Sequence, residues 1–184
     1  MTRSSPLALG IVAIGCLVAT AIPLSAQGPY YPLPAWDQKL PANTRFVRVF
    51  YEDVCANNFC AQLAQAILDR ETGLVWERSP SSLVMNWRIA RGHCATAVHA
   101  SRMGWRLPTV AELTSLLDPS VEFGVRLPAG HPFLNISGET QYWTATPDET
   151  FDAFHFTVDV DHPQAGSVAD SDGFFAWCVR GGAQ

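Results

Sequence analysis

Along most of the chain, apolar and polar positions alternate in short runs; in the middle the period lengthens to three and four residues. Phe46 to Tyr51 alternates as a strand. Ala66-Ile67-Leu68-Asp69 and Leu74-Val75-Trp76-Glu77 flank Arg70-Glu71-Thr72-Gly73, and this short glycine-containing connection predicts a β-hairpin. Trp87, Ala90, Cys94, Ala97 and Val98 then recur at helical steps, with Asn86 placed to cap the helix and Gly104 to end it. After the rigid Trp105-Arg106-Leu107-Pro108, the run Thr109-Val110-Ala111-Glu112 matches a capping box. The Thr hydroxyl and Glu carboxylate would each take up a backbone N–H left free at the helix start. Leu113, Leu116 and Leu117 would be the buried stripe of this second helix, which Asp118-Pro119 ends. Tyr142 to Thr146 predicts a strand. From Phe154 to Asp161, Phe154, Phe156, Val158 and Val160 fall on one face and His155, Thr157, Asp159 and Asp161 on the other. Asp170-Ser171-Asp172-Gly173 reads as a turn before a last strand, Phe174 to Arg180. The order of strand, two helices and further strands predicts an α+β domain over residues 46–184, with two helices packed on antiparallel sheets.

The first residues follow a different pattern. Arg3 precedes an apolar stretch from Leu7 to Pro23, and Leu24-Ser25-Ala26 offers a small residue before Gln27. Residues 1–26 are therefore expected to be a cleaved signal peptide, which leaves no stable membrane span and a secreted or periplasmic product. Residues 27–45 contain Pro29, Pro32, Pro34 and Pro41 without an apolar period. They read as an extended Pro-rich lead-in able to lay Tyr30, Tyr31 and Trp36 on the domain.

Charge narrows the partners. The chain has 12 Lys+Arg against 17 Asp+Glu, a net charge of −5, and its only lysine is Lys39. Binding to nucleic acid through phosphate neutralisation needs a basic stripe, and none is present. The excess is local: residues 127–184 set Arg180 against eight acids, whereas residues 27–126 are nearly balanced. Charged residues at 16% and aromatic residues at 11% favour a folded core over disorder.

With Cys16 inside the signal, four cysteines remain: Cys55, Cys60, Cys94 and Cys178. An even count in an exported chain predicts two disulfides, with three possible pairings. Cys55 and Cys60 enclose a short loop that closes easily on itself, leaving Cys94 to join Cys178. That second bridge would be worth about 4 kcal/mol in the chain-entropy account. A zinc site would call for close pairs such as C-x2-C, which these spacings do not supply.

Several blocks together resemble a known family. They are Asp69-Arg70-Glu71-Thr72-Gly73-Leu74-Val75-Trp76, Trp87-x-x-Ala90 with Cys94, Trp105-Arg106-Leu107-Pro108-Thr109-x-x-Glu112-Leu113, Tyr142-Trp143-Thr144-Ala145-Thr146 and Trp177-Cys178-Val179-Arg180-Gly181-Gly182. In this order they are similar to the Lcl C-terminal domain family of bacteria, named from a collagen-like adhesin. The resemblance implies a C-type-lectin-like fold, related in architecture to formylglycine-generating enzymes, in which a bridge ties the first helix to the last strand. It also implies internal ion pairs for Arg106 and Arg180. The adhesin is associated with sulfated glycans, but this chain lacks its collagen-like stalk.

Candidate chemistry follows from these readings. A formylglycine-generating oxidase needs two working thiols, and the expected bridges occupy all four cysteines, so no enzyme activity is expected. His93, His99, His131, His155 and His162 are scattered; on a continuous helix His93 and His99 would face different ways. Asp159, Asp161, Asp170 and Asp172 would offer hard oxygen ligands to calcium if the strand and the turn met; otherwise they form a solvated acidic face. Arg88 and Arg91, one helical turn apart, could clasp a sulfate or carboxylate. Trp36 and Tyr142 could stack on a sugar ring, while Trp143 reads as core. The sequence thus predicts a non-enzymatic recognition module for a glycan or surface partner. The rival reading is an accessory subunit of an envelope or extracellular assembly.

Overall fold

The structure is a computed structural model, and it describes residues 40–50, 65–138 and 141–182. Helix α1 (Ala42–Arg45) is a single turn leading into β1 (Phe46–Val49). β2 (Ala66–Asp69) and β3 (Val75–Glu77) form the predicted hairpin, with Leu68 opposite Val75. Gly73 holds φ +70° in its turn, a conformation that side chains resist. α2 (Trp87–Thr96) and α3 (Val110–Ser115) follow, then β4 (Gln141–Pro147), β5 (Phe154–Asp159), β6 (Gln164–Ala169) and β7 (Val179–Arg180). One antiparallel sheet has the order β1-β2-β3-β7 and the other β4-β5-β6, so the architecture is mixed α+β.

The final segment joins the sheets. Phe174 bridges Met85, Phe175 runs parallel to Tyr142, and Val179 bridges Arg106 before β7 pairs with β3. The predicted continuous strand from Phe174 to Arg180 is therefore a connector that changes partner every few residues, with only Val179–Arg180 in a ladder. Its side chains occupy the centre. Trp177 packs edge-on against Trp76 at 5.6 Å and Phe133 at 5.1 Å, and its indole N–H donates to the Glu77 carbonyl at 2.8 Å. Trp76, Trp143, Trp177, Leu113 and Leu116 are fully buried. Burying side chains of this size contributes roughly 1.5–3 kcal/mol each.

Cys94 of α2 is bonded to Cys178, across a sequence separation of 84. Both residues are fully buried beside Ala90, Trp105 and Trp143, so the bridge fixes one face of α2 against the closing segment. Cys55 and Cys60, and with them the second expected disulfide, lie outside the described residues, as do the expected signal peptide and most of the lead-in.

The end of the lead-in is part of the domain. Arg45, 4% exposed, donates twice to the Asp69 carboxylate at 2.9 and 2.7 Å and once to the Ser115 carbonyl at 2.7 Å. Glu71 adds a second acid at 3.0 Å from Arg45, and the Leu40 N–H donates to it as well. A bidentate guanidinium–carboxylate pair satisfies both desolvated partners at once; removing either leaves a buried charge, at a cost of about 3–5 kcal/mol.

Helix starts were legible and one helix end was not. Asn86 caps α2 by accepting from the Ile89 N–H at 3.0 Å. Both halves of the capping box form on α3: Glu112 N–H donates to the Thr109 hydroxyl at 3.2 Å, and Thr109 N–H to the Glu112 carboxylate at 2.8 Å. α2, however, stops at Thr96 and not at Gly104. Ala97 is extended, and Ala100 and Ser101 take left-handed φ of 49° and 56°, so residues 97–104 fold back beside the helix.

Candidate functional site

α2 separates two sites, one at each end. At its N-terminal end a groove of about 630 Å³ is lined by Asn86, Trp87, Arg88, Arg91, Phe154 and Asp170, with Ser171 at its edge. Helical spacing brings Arg88 and Arg91 to the same side, and both are exposed. The opposite wall is the β5–β6 hairpin and its following turn. His155 of β5 stacks on the Trp87 indole with centroids 3.6 Å apart, and its Nδ1 lies 2.6 Å from Asp170. The Arg91 guanidinium lies over the Trp87 ring at 5.5 Å, and the indole N–H donates to the Thr144 carbonyl at 2.9 Å. Because His155 and Arg91 already engage the indole, the groove offers a ligand fixed cationic donors more than a bare stacking platform.

The other expected ligand residues are dispersed. Tyr142, 1% exposed, packs against Trp177 at 5.5 Å and accepts the Ser137 N–H at 3.1 Å through its hydroxyl, so it belongs to the core and not to a sugar platform. Trp36 lies outside the described residues. The four acids considered for calcium do not converge. The β5–β6 register pairs Phe154 with Ala169 and Asp159 with Gln164, so Asp159 and Asp161 sit at one end of the hairpin and Asp170 and Asp172 at the other. Five strand steps separate the ends by about 17 Å. Calcium ligands must all lie about 2.3–2.6 Å from the ion. Asp159 instead closes its own turn, accepting from the N–H groups of Asp161 and His162 at 2.8 and 2.9 Å. Of the two family arginines, Arg106 pairs with both Glu112 oxygens at 2.7 and 2.6 Å, while Arg180 donates to the Met103 carbonyl at 2.8 Å.

At the C-terminal end of α2 is a side-chain cluster the sequence did not reveal. Glu77 ends the central strand β3 and is 6% exposed. One carboxylate oxygen accepts the Cys178 N–H at 3.2 Å, and the other lies 3.3 Å from His99 Nε2. Donor atoms of Glu77, His93 and Cys178 lie within 4.8 Å of one another. Burial pushes the Glu77 carboxyl up to about 7, with the Cys178 N–H pulling the other way. Burial also lowers the His99 pKa, and the charge of nearby His93 lowers it further. The expectation that His93 and His99 face apart assumed a continuous helix; because α2 ends at Thr96, the returning loop sets His99 against the same carboxylate. The one signal in the sequence was an acid closing the apolar run Leu74-Val75-Trp76, where a strand end does not ordinarily bury a charge.

These features define a class: a small α+β domain whose helix is stapled to its closing segment by a buried disulfide. Residues 65–180 match the family model described as the Lcl C-terminal domain, well over half of the chain, and the protein belongs to that family. A search of curated proteins found none that matches the chain.

Proposed function

We propose that the protein is a secreted or periplasmic, non-enzymatic recognition module that binds an anionic group, a sulfate or carboxylate, of a glycan or surface partner in the groove at the start of α2. A C-type-lectin-like scaffold, as the family resemblance implies, suits that role. The observation that carries the reading is the placement of Arg88 and Arg91 on one wall of a groove whose other wall is built from Phe154, Ala169 and Asp170. Guanidinium groups hold planar or tetrahedral oxyanions through paired N–H donors. The N-terminal end of α2 adds a favourable dipole. With a net charge of −5 the protein as a whole repels a polyanion at long range, so recognition rests on these close contacts. The buried Cys94–Cys178 bridge supports a non-enzymatic reading, because it leaves neither sulfur as a free thiol.

Binding of sulfated and matched unsulfated oligosaccharides, titrated over salt concentration, tests the reading. The sulfated ligand should bind in preference, and Arg88→Ala with Arg91→Ala should weaken binding at least tenfold without moving Tm. Equal binding by the double variant would overturn the groove as the site. A second reading, an accessory subunit of an envelope or extracellular assembly, is favoured by exposed Leu83, Val84 and Ile89, which are 70%, 63% and 58% accessible. Co-purification with one partner at fixed stoichiometry would support it.

A further inference from the structure

We propose that the open edge of β6 is a strand-addition site for an extended, basic segment of a protein partner. The site does not depend on the groove's function. β6 ends the sheet β4-β5-β6, and among the described residues it pairs with β5 alone. The opposite edge, β4, is closed by the final segment: Trp143 N–H donates to the Phe175 carbonyl at 2.9 Å, and Phe175 N–H to the Gln141 carbonyl at 3.1 Å. The ladder fixes which groups of β6 are left over. Asp170 N–H donates to the Ala153 carbonyl at 2.8 Å, so even-numbered residues face β5, while Ala165, Ser167 and Ala169 turn their N–H groups outward. Gln164 to Ser167 are exposed. Edge strands are ordinarily blunted by lysine, proline, an inward charge or a bulge. Gln164–Ala169 contains no charged residue and no proline, and its register with β5 is unbroken.

Charge decides the occupant. Residues 147–172 carry seven acids and no Lys or Arg. Asp148, Glu149 and Asp152 precede β5 and join Asp170 and Asp172 at one end of the hairpin, with Asp159 and Asp161 at the other. The Ser167 hydroxyl donates to the Asp148 carboxylate, which holds that acid beside β6. Arg88 and Arg91 share the groove with Asp170, and Arg126 donates to the Asp161 carbonyl at 2.9 Å, so the surplus of acid is largest at the Asp170 end. Antiparallel pairing of β6 with a second copy would set the Asp170 end of each against the Asp159 end of the other, acid against acid. An incoming strand with Lys or Arg at its ends instead gains main-chain hydrogen bonds from the edge and charge pairing from these acids.

Fluorescence anisotropy with the full-length chain tests this. The probe is a labelled peptide of alternating Val and Thr, long enough to span β6, with Lys at both ends. It should bind roughly tenfold more tightly than the same peptide ended in Glu, and the difference should shrink as salt rises. Methylating every second amide nitrogen of the peptide should abolish binding in the phase that faces β6 and be tolerated in the other phase. Ala165→Pro removes an outward N–H without touching the ladder to β5, so it should keep the wild-type Tm and weaken binding roughly tenfold. If that variant fails to fold, the methylated peptides decide. Equal binding of the Lys-ended and Glu-ended peptides, indifference to methylation, or unchanged binding by a folded Ala165→Pro would each overturn the proposal. A concentration-dependent dimer in sedimentation that Ala165→Pro disperses would also overturn it, assigning the edge to a second copy.

Discussion

The two ends of α2 carry the same pair of groups, an imidazole facing a carboxylate, in opposite states. At the N-terminal end His155 and Asp170 are 2.6 Å apart and hydrogen-bonded, with side chains 14% and 26% exposed. At the C-terminal end His99 and Glu77 are 3.3 Å apart without a hydrogen bond, at 22% and 8%. The imidazoles differ little in exposure; the carboxylates differ threefold. Asp170 comes from a turn after an edge strand, where a quarter of its side chain is open to solvent. Glu77 ends β3, which lies between β2 and β7, so the sheet that positions it also dehydrates it. Location in the sheet, and not residue type, decides which pair is a satisfied contact and which leaves a buried imidazole nitrogen without a hydrogen bond.

Removing the staple should disturb this contrast most. Cys178→Ala should cost about 2–5 kcal/mol of stability, because it frees a loop of long sequence separation from its covalent closure. Denaturant melts of the oxidised wild type and the variant would measure it, and coincident midpoints would refute the bracing role. Next comes Glu77→Gln. The folded-state pKa of about 7 exceeds the ordinary 4.5, so the folded protein keeps a proton that the unfolded chain releases. The associated stability is fully present below about pH 4.5 and is lost as pH rises through about 7, a span of about 3 kcal/mol at most. His99 acts with the opposite sign: its lowered pKa makes stability fall as pH drops below its ordinary 6.5. Glu77→Gln should therefore leave the rise with pH due to His99 and to His131, whose pKa burial also lowers. Parallel Tm-against-pH curves for variant and wild type would show that the carboxyl is not desolvated. The smallest effect belongs to Asp170→Asn, which weakens a partly exposed contact and should cost about 1 kcal/mol, measured as a small drop in Tm.

The parts that were legible are those where local chemistry and tertiary packing agree. The Thr109–Glu112 capping box, the hairpin around Gly73 and the buried Leu113–Leu116–Leu117 stripe were all readable from neighbouring residues alone. The Cys94–Cys178 bridge followed from cysteine count once the close pair was set aside. β6 left no trace: Gln164-Ala165-Gly166-Ser167-Val168-Ala169 has no buried face, and its ladder to β5 is set by backbone register. The acidic quartet misled because sequence proximity in a hairpin can mean opposite ends of a strand. His99 was hidden by a helix that stopped early, where Ala97 and Val98 still fit the helical period but the backbone had already turned. Arg88 and Arg91 were readable as a pair, whereas their facing wall came from residues more than sixty positions later.

Phe174 to Arg180 touches the Met85 segment, β4, the Arg106 segment and β3 in turn. Each of these layers thus waits on a stretch that follows it in the chain. A ribosome halted before that stretch would release a product with both sheets unsealed and Cys94 lacking its mate, an open substrate for proteases. Synthesis of that stretch therefore decides when Cys94 can gain its disulfide partner, so the bridge reports that the layers have been joined.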